Sequence, residues 1–163
     1  MDERITSLLY DHNMLMVLRH FHIAKVDYAK NIMRYTEIPK TRVQEYLKKL
    51  ESMGLIEKYT NTSIKRTEAK LKKSAEVHKH HTYFQLTKDG STVLKSITPK
   101  LYFSALEKEC IMMINNSKIR STDDQKCRKM VEMGLLGHDL SLTSLGSEVL
   151  ERARKTGALR GLA

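Results

Sequence analysis

Three histidines within four residues form the part of this sequence best suited to chemistry. His78, His80 and His81 lie in the stretch EVHKHHTYFQLTKDG, which continues with the alternation of a β-strand. A metal site needs three or four ligands that converge on one ion. Alternate residues of an extended chain share one side, so only His78 and His80 can act together, and no CxxC, HxxxH or HExxH motif supplies further ligands. We therefore expect no metal and no cofactor, with a metal-responsive regulator as an alternative.

The residues around these histidines give little indication of a catalytic site. Neither a nucleophile nor an oxyanion-forming glycine motif accompanies them. Cys110 and Cys127 match no metal spacing and no CxxC redox motif, which is typical of buried or idle thiols in a reducing cytosol. We expect a protein that is not an enzyme.

The balance of charge points to a polyanionic partner. Lys and Arg number 29 against 19 Asp and Glu, a formal net charge of +10. Six of these cations and only two Glu fall between Lys65 and His81. Such a focused excess favours nucleic acid or a membrane surface as the partner. An ordinary solvated face is the alternative for this charge run.

Two features of the chain favour a cytoplasmic protein without a membrane-spanning segment. No apolar run approaches the roughly 18 residues that a membrane span needs. The stretch MDERITSLLYD carries acids where a signal peptide carries basic residues. We therefore expect a cytoplasmic location and no membrane partner.

Hydrophobic spacing predicts the elements around the histidines. The predicted first helix covers residues 7–22. DYAKNIMRYTEI is predicted as the second helix, with Asp27 as its N-cap. Residues 41–53 are predicted as the third, which follows an entry turn at Pro39 and ends at Gly54. LIEKYTN and TYFQLT follow as paired strands, and Thr87 caps a helix through KDGSTVLKSI. The long insert between the strands includes TEAKLKKSAEV, which predicts a short helix or an ordered arm.

The second half of the chain repeats part of the first in shortened form. CRKMVEMGLLGHDLSLTSLGSEVLERA parallels LKKLESMGLIEK together with FQLTKDGSTVLKSI. Both copies carry a basic helix, Met-Gly-Leu and a Leu-Thr-x-x-Gly-Ser turn, but the second hairpin is only a few residues long. One helix over KLYFSALEKECIMMINN is expected to precede it.

Residues 38–56 together with 84–94 resemble the winged-helix domains of MarR-type and ArsR-type transcriptional regulators. They are especially similar to a small archaeal family of winged-helix proteins without assigned function, which has a comparable His-rich segment. The resemblance implies a mostly α fold with small β-hairpins, namely a winged helix-turn-helix followed by a reduced winged-helix-like repeat. We accordingly predict a winged-helix domain with a long basic wing at residues 1–98, a degenerate second unit at 99–155 and a flexible tail at 156–163.

The resemblance also implies duplex DNA as the partner. In such proteins the third helix enters the major groove and the wing lies along the DNA backbone. Carried over, the helix contacts are Lys40, Thr41, Arg42, Gln44 and Lys48, and the wing contacts to phosphates are Lys65, Arg66, Lys70, Lys72, Lys73 and Lys79. Val43, Leu47 and Leu50 face inward as core. Glu45 departs from the pattern, since a carboxylate repels phosphates, and it favours the wing as the main contact.

A DNA-binding transcriptional regulator is therefore the leading hypothesis. A homodimer is expected through the apolar helix around Tyr102 to Ile114, with internal packing of that helix as the alternative. The rival function is a protein-interaction module that serves as an adaptor in a larger complex, because winged helices also have that role.

Overall fold

The computed structural model describes residues 2–60, 81–116 and 124–157. Within these ranges the chain is mostly helical, with nine helices and one three-stranded antiparallel sheet of order β1-β3-β2. In chain order the elements are α1 (Glu3–Leu9), α2 (His12–Ala24), β1 (Val26–Asp27), α3 (Ala29–Thr36), α4 (Lys40–Ser52), β2 (Ile56–Lys58), β3 (Phe84–Leu86), α5 (Lys88–Ser96), α6 (Pro99–Ala105), α7 (Lys108–Asn115), α8 (Gln125–Glu132) and α9 (Ser144–Lys155).

This architecture confirms the predicted fold class, a mostly α winged helix with small β-structure. Contacts divide the chain into two compact units: residues 13–95, and residues 1–12 together with 96–163. Across the described ranges, none of the helices combines the length and hydropathy that a bilayer crossing requires.

The third predicted helix is α4, and its local signals explain its bounds. Pro39 precedes the first helical residue. Val43, Leu47 and Leu50 are buried with at most 3% of their surface exposed, which confirms the predicted inward face. Gly54 has a φ of +70°, a left-handed conformation that glycine adopts without the steric cost of a Cβ.

Three predicted elements differ in detail from the structure. The first helix is divided into α1 and α2 at Tyr10, whose hydroxyl donates a 3.3 Å hydrogen bond to the carbonyl of Ala105. Asp27 is not the N-cap of α3, because Tyr28 holds that position and the Asp27 side chain is buried. The single helix expected around residues 101–114 is divided into α6 and α7 by Leu106 and Glu107, which are both extended.

The unit of residues 1–12 and 96–163 buries the apolar helix that suggested a dimer. Tyr102 is fully buried, and Ile111 and Ile114 are at most 7% exposed. α6 and α7 both pack against α9. These side chains therefore pack internally within their unit, and both cysteines are buried there as well.

Thr87, directly after β3, connects the end of α4 to the start of α5 through hydrogen bonds. The Thr87 hydroxyl donates to the carbonyl of Gly54 at 2.7 Å and accepts the Gly90 amide at 2.9 Å. A Cβ at Gly90 would overlap the carbonyl oxygen of Leu55, so glycine lets α5 approach the chain closely.

The second unit repeats this joint. Thr143 donates to Gly134 at 2.7 Å and accepts the Gly146 amide at 3.0 Å, and Gly134 has a φ of +72°. Its hairpin is reduced to one bridge between Leu136 and Leu142. The two copies of the internal repeat therefore share the same threonine hydrogen bonds. They differ in the hairpin, which is much shorter in the second copy.

Candidate nucleic-acid interface

The outward face of α4 is polar and open to solvent. The five predicted helix contacts are all exposed: Lys40, Thr41, Arg42, Gln44 and Lys48. This exposure follows from the amphipathic pattern, since residues three and four apart share one helix face. The structure thus places Lys40, Gln44 and Lys48 on one side of the helix, whereas Arg42 lies further round it, beside Glu45 and Tyr46.

A groove of about 520 Å³ lies between α4, the start of α3 and the strands β2 and β3. Four lysines line it: Lys30, Lys40, Lys48 and Lys58. Glu51 is the one acid among its lining residues, and it lies 3.6 Å from Lys58. The groove therefore carries a clear excess of positive charge.

Three of the groove lysines are available to a ligand. Lys30, Lys40 and Lys48 are exposed and form no ion pair with any residue of the described ranges. Sequence reasoning had missed Lys30 and Lys58, because neither lies on the third helix or in the basic insert. The signal for Lys58 is its place at the exposed end of β2, on the same strand face as Ile56.

Arg42 differs from these lysines because its charge is already engaged. Its guanidinium donates to Glu45 Oε2 at 2.8 Å and to the Tyr46 hydroxyl at 3.2 Å. It also lies 5.1 Å from the centre of the Tyr46 ring. The interactions with Tyr46 and then Glu45 raise the pKa of Arg42, so the side chain is charged at every relevant pH but held on its own helix.

An aromatic pair borders the groove. The rings of Tyr28 and His81 stack with centroids 4.5 Å apart and planes 9° from parallel. Tyr83 lies 5.1 Å from Tyr28 at a steeper angle. His81 is thus the one member of the histidine cluster whose environment is described, and it contributes a flat ring beside Tyr28.

The predicted wing contacts lie outside the described residues. This holds for Lys65, Arg66, Lys70, Lys72, Lys73 and Lys79, for the expected short helix or arm, and for His78 and His80. Among the residues that the structure describes, no cluster of three potential metal ligands forms.

A buried polar network fixes the elements behind the groove. His20 Nε2 lies 2.7 Å from Asp27 Oδ2, and Asn31 Nδ2 donates to the same oxygen at 2.7 Å. The Tyr28 amide donates to the other carboxylate oxygen at 2.9 Å. The network connects α2, β1 and α3, and so positions Tyr28 and Lys30 at the groove. Sequence reasoning missed it, because only the fold brings His20 to Asp27.

Comparison with known proteins identifies one family. The pattern of the DUF2250 family, described as an uncharacterized protein conserved in archaea, matches residues 5–97, which is more than half of the 163 residues. The matched segment contains α4 and the whole groove. No match was found among curated proteins or among solved structures. The chain therefore belongs to this family of archaeal proteins, as the resemblance to a small archaeal family had predicted.

Proposed function

We propose that the protein binds duplex DNA and acts as a transcriptional regulator of the winged-helix type, as its resemblance to MarR-type and ArsR-type regulators implies. The observation that carries the proposal is the groove beside α4, where Lys30, Lys40 and Lys48 are exposed without an ion-pair partner in the described residues. Cations without partners on a concave surface attract a polyanion, because binding releases the counterions condensed on it.

The dimensions of α4 suit the major groove. An α-helix with its side chains is about 10–12 Å across, and the major groove of B-DNA is about 12 Å wide. With α4 in the major groove of DNA, the Gln44 side chain can form two hydrogen bonds with the edge of an adenine. Lys30 and Lys58, on neighbouring elements, then face the flanking phosphates.

The predicted wing, which lies outside the described residues, is part of the proposal. Its cations would follow the DNA backbone, as they do in the proteins that this chain resembles. A homodimer is part of the proposal, since a two-fold arrangement would place two α4 helices in successive major grooves.

A fluorescence-polarisation titration with labelled random duplex DNA tests the proposal. The wild type should bind, with an affinity that falls steeply between roughly 50 and 200 mM salt. Replacing Lys30, Lys40 and Lys48 with Gln should weaken binding and flatten the log–log salt slope by up to about 2.7, or about 0.9 per lost phosphate contact. The triple variant Arg19→Gln, Arg34→Gln, Lys49→Gln removes the same charge from exposed positions outside the groove and serves as the matched control.

One observation favours a protein-interaction module as the second candidate. Glu45 lies at the centre of the exposed α4 face and neutralises the arginine of that face. A surface of mixed charge suits a protein partner better than phosphates. Absence of DNA binding by the wild type near roughly 50 mM salt, where phosphate contacts are strong, would establish this candidate over the first.

A further inference from the structure

A second cationic cleft lies in the unit of residues 13–95. It has a volume of about 650 Å³ and is formed by the end of α2, the strands and the first turns of α5. Lys25, Lys88, Lys95 and His22 line it, and its lining includes no acidic residue. Phe21, Val26 and Tyr59 contribute apolar surface.

This cleft and the α4 groove are lined by different residues of the sheet. In β3, Phe84 lines the groove, whereas Gln85 and Leu86 line the cleft. Lys58 and Tyr59 are divided in the same way, and no residue lines both surfaces. A ligand that occupies the groove therefore leaves the cleft accessible.

The lysines of the cleft are as available as those of the groove. Lys25, Lys88 and Lys95 are exposed and form no ion pair within the described part of the chain. Lys25 also has a φ of +66°, and its amide donates to the Phe21 carbonyl at 3.0 Å. Glycine or asparagine is usual where a helix ends in this conformation, so Lys25 adopts this backbone conformation at an energetic cost.

The spacing of the lysines selects the kind of anion. Lys88 and Lys95 are seven residues apart on α5, which separates them by about 10.5 Å along the helix axis at 1.5 Å per residue. Cations spread over such a distance suit a chain of regularly spaced phosphates, because duplex DNA carries one charge per roughly 1.7 Å of its axis.

We propose that this cleft binds the phosphate backbone of a second DNA duplex, so that one chain bridges two duplexes. The inference rests on the proposed function, since the first duplex is the one that α4 and its groove lysines bind. Each of the two surfaces has three exposed lysines without ion pairs in the described residues, and the two have no lining residue in common.

A sandwich pull-down tests the bridging. A biotinylated duplex is fixed on beads, the full-length protein is added, and retention of a second, fluorescent duplex is measured. Polarisation on a single duplex runs in parallel. The wild type should retain the second duplex. The variant Lys25→Gln, Lys88→Gln, Lys95→Gln should retain roughly tenfold less, while its single-duplex affinity stays within about twofold of the wild type.

The control is the variant with Lys30, Lys40 and Lys48 changed to Gln, which should lose bridging and also bind a single duplex more weakly, through the cleft alone. All six lysines are exposed, and thermal melts establish that each variant is folded.

Bridging is overturned if the wild type binds one duplex but retains no second duplex. It is equally overturned if the cleft variant retains the second duplex fully, as self-association would allow. It is also overturned if the cleft variant loses single-duplex affinity equally, since both surfaces would then contact one duplex. A wild type that binds no DNA at all instead overturns the proposed function itself.

Discussion

The guanidinium of Arg42 and the carboxylate of Glu45 are joined by a hydrogen bond of 2.8 Å on the exposed face of α4. Both side chains are more than half exposed, at 56% and 59%. A DNA phosphate would therefore compete with Glu45 for Arg42. Because of this pair, α4 should bind a polyanion more weakly than its number of cationic side chains implies.

Replacing Glu45 with Gln should strengthen DNA binding. The change removes a repulsive charge and frees Arg42 for one more phosphate, so the salt slope should steepen by about 0.9 and the affinity should rise roughly threefold to tenfold. Polarisation titrations at several salt concentrations measure both quantities.

A double-mutant cycle with Arg42→Ala separates the two causes of that gain. If Glu45 acts by holding Arg42, Glu45→Gln should gain less affinity in the Arg42→Ala background. Equal gains in both backgrounds would mean that Glu45 acts only as a repulsive charge.

Truncating the inward face of α4 should destabilise the fold. Leu50 is fully buried, so Leu50→Ala should lower the free energy of unfolding by about 2–5 kcal/mol through lost burial and a residual cavity. Lys49→Ala, at the exposed neighbouring position, should change it by less than about 0.5 kcal/mol. Urea denaturation followed by circular dichroism gives both values, and equal stabilities would contradict the assignment of the faces.

The buried network behind the groove should be sensitive to the loss of one member. His20→Leu leaves the Asp27 carboxylate buried with one partner fewer and should cost about 3–5 kcal/mol of stability. Adding Asp27→Asn should restore part of the loss, because it removes the buried charge. His22→Leu, on the exposed side of α2, is the control. Similar melting temperatures for His20→Leu and His22→Leu would show that the network contributes little.

Cys110 should be slow to alkylate. Burial raises the pKa of its thiol, with Glu107 adding to the effect, so less of the reactive thiolate is present at any given pH than for a free cysteine. In a Cys127→Ser variant, the iodoacetamide rate should rise only above the roughly pH 8.5 typical of free cysteine. Urea should accelerate labelling at least roughly tenfold, since unfolding exposes the thiol. A native rate equal to the unfolded rate would contradict the burial.

Local signals account for the parts of the fold that sequence reasoning predicted. Pro39, Gly54 and Thr87 act through their own backbone or nearest neighbours, so they mark the bounds of α4 and α5 without knowledge of the tertiary structure. The outward face of α4 follows from the same periodicity.

Contacts between distant residues account for what sequence reasoning missed. Asp27 looked like a helix cap because the pattern could not show that α2 brings His20 within 2.7 Å of it. β1 has only two residues and forms because β3 pairs with it. The grouping of residues 1–12 with 96–163 likewise rests on packing that no local pattern records.

The repeated threonine joint explains how the wing can vary so widely in length. Thr87 closes a span of 33 residues onto Gly54, whereas Thr143 closes only 9 onto Gly134, with the same 2.7 Å bond. Loop-closure entropy grows as the logarithm of length, so the longer span costs only about 1 kcal/mol more. Because the joint fixes the base of the hairpin in both units, the length of chain beyond it can differ while the two helices that it connects stay joined in the same way.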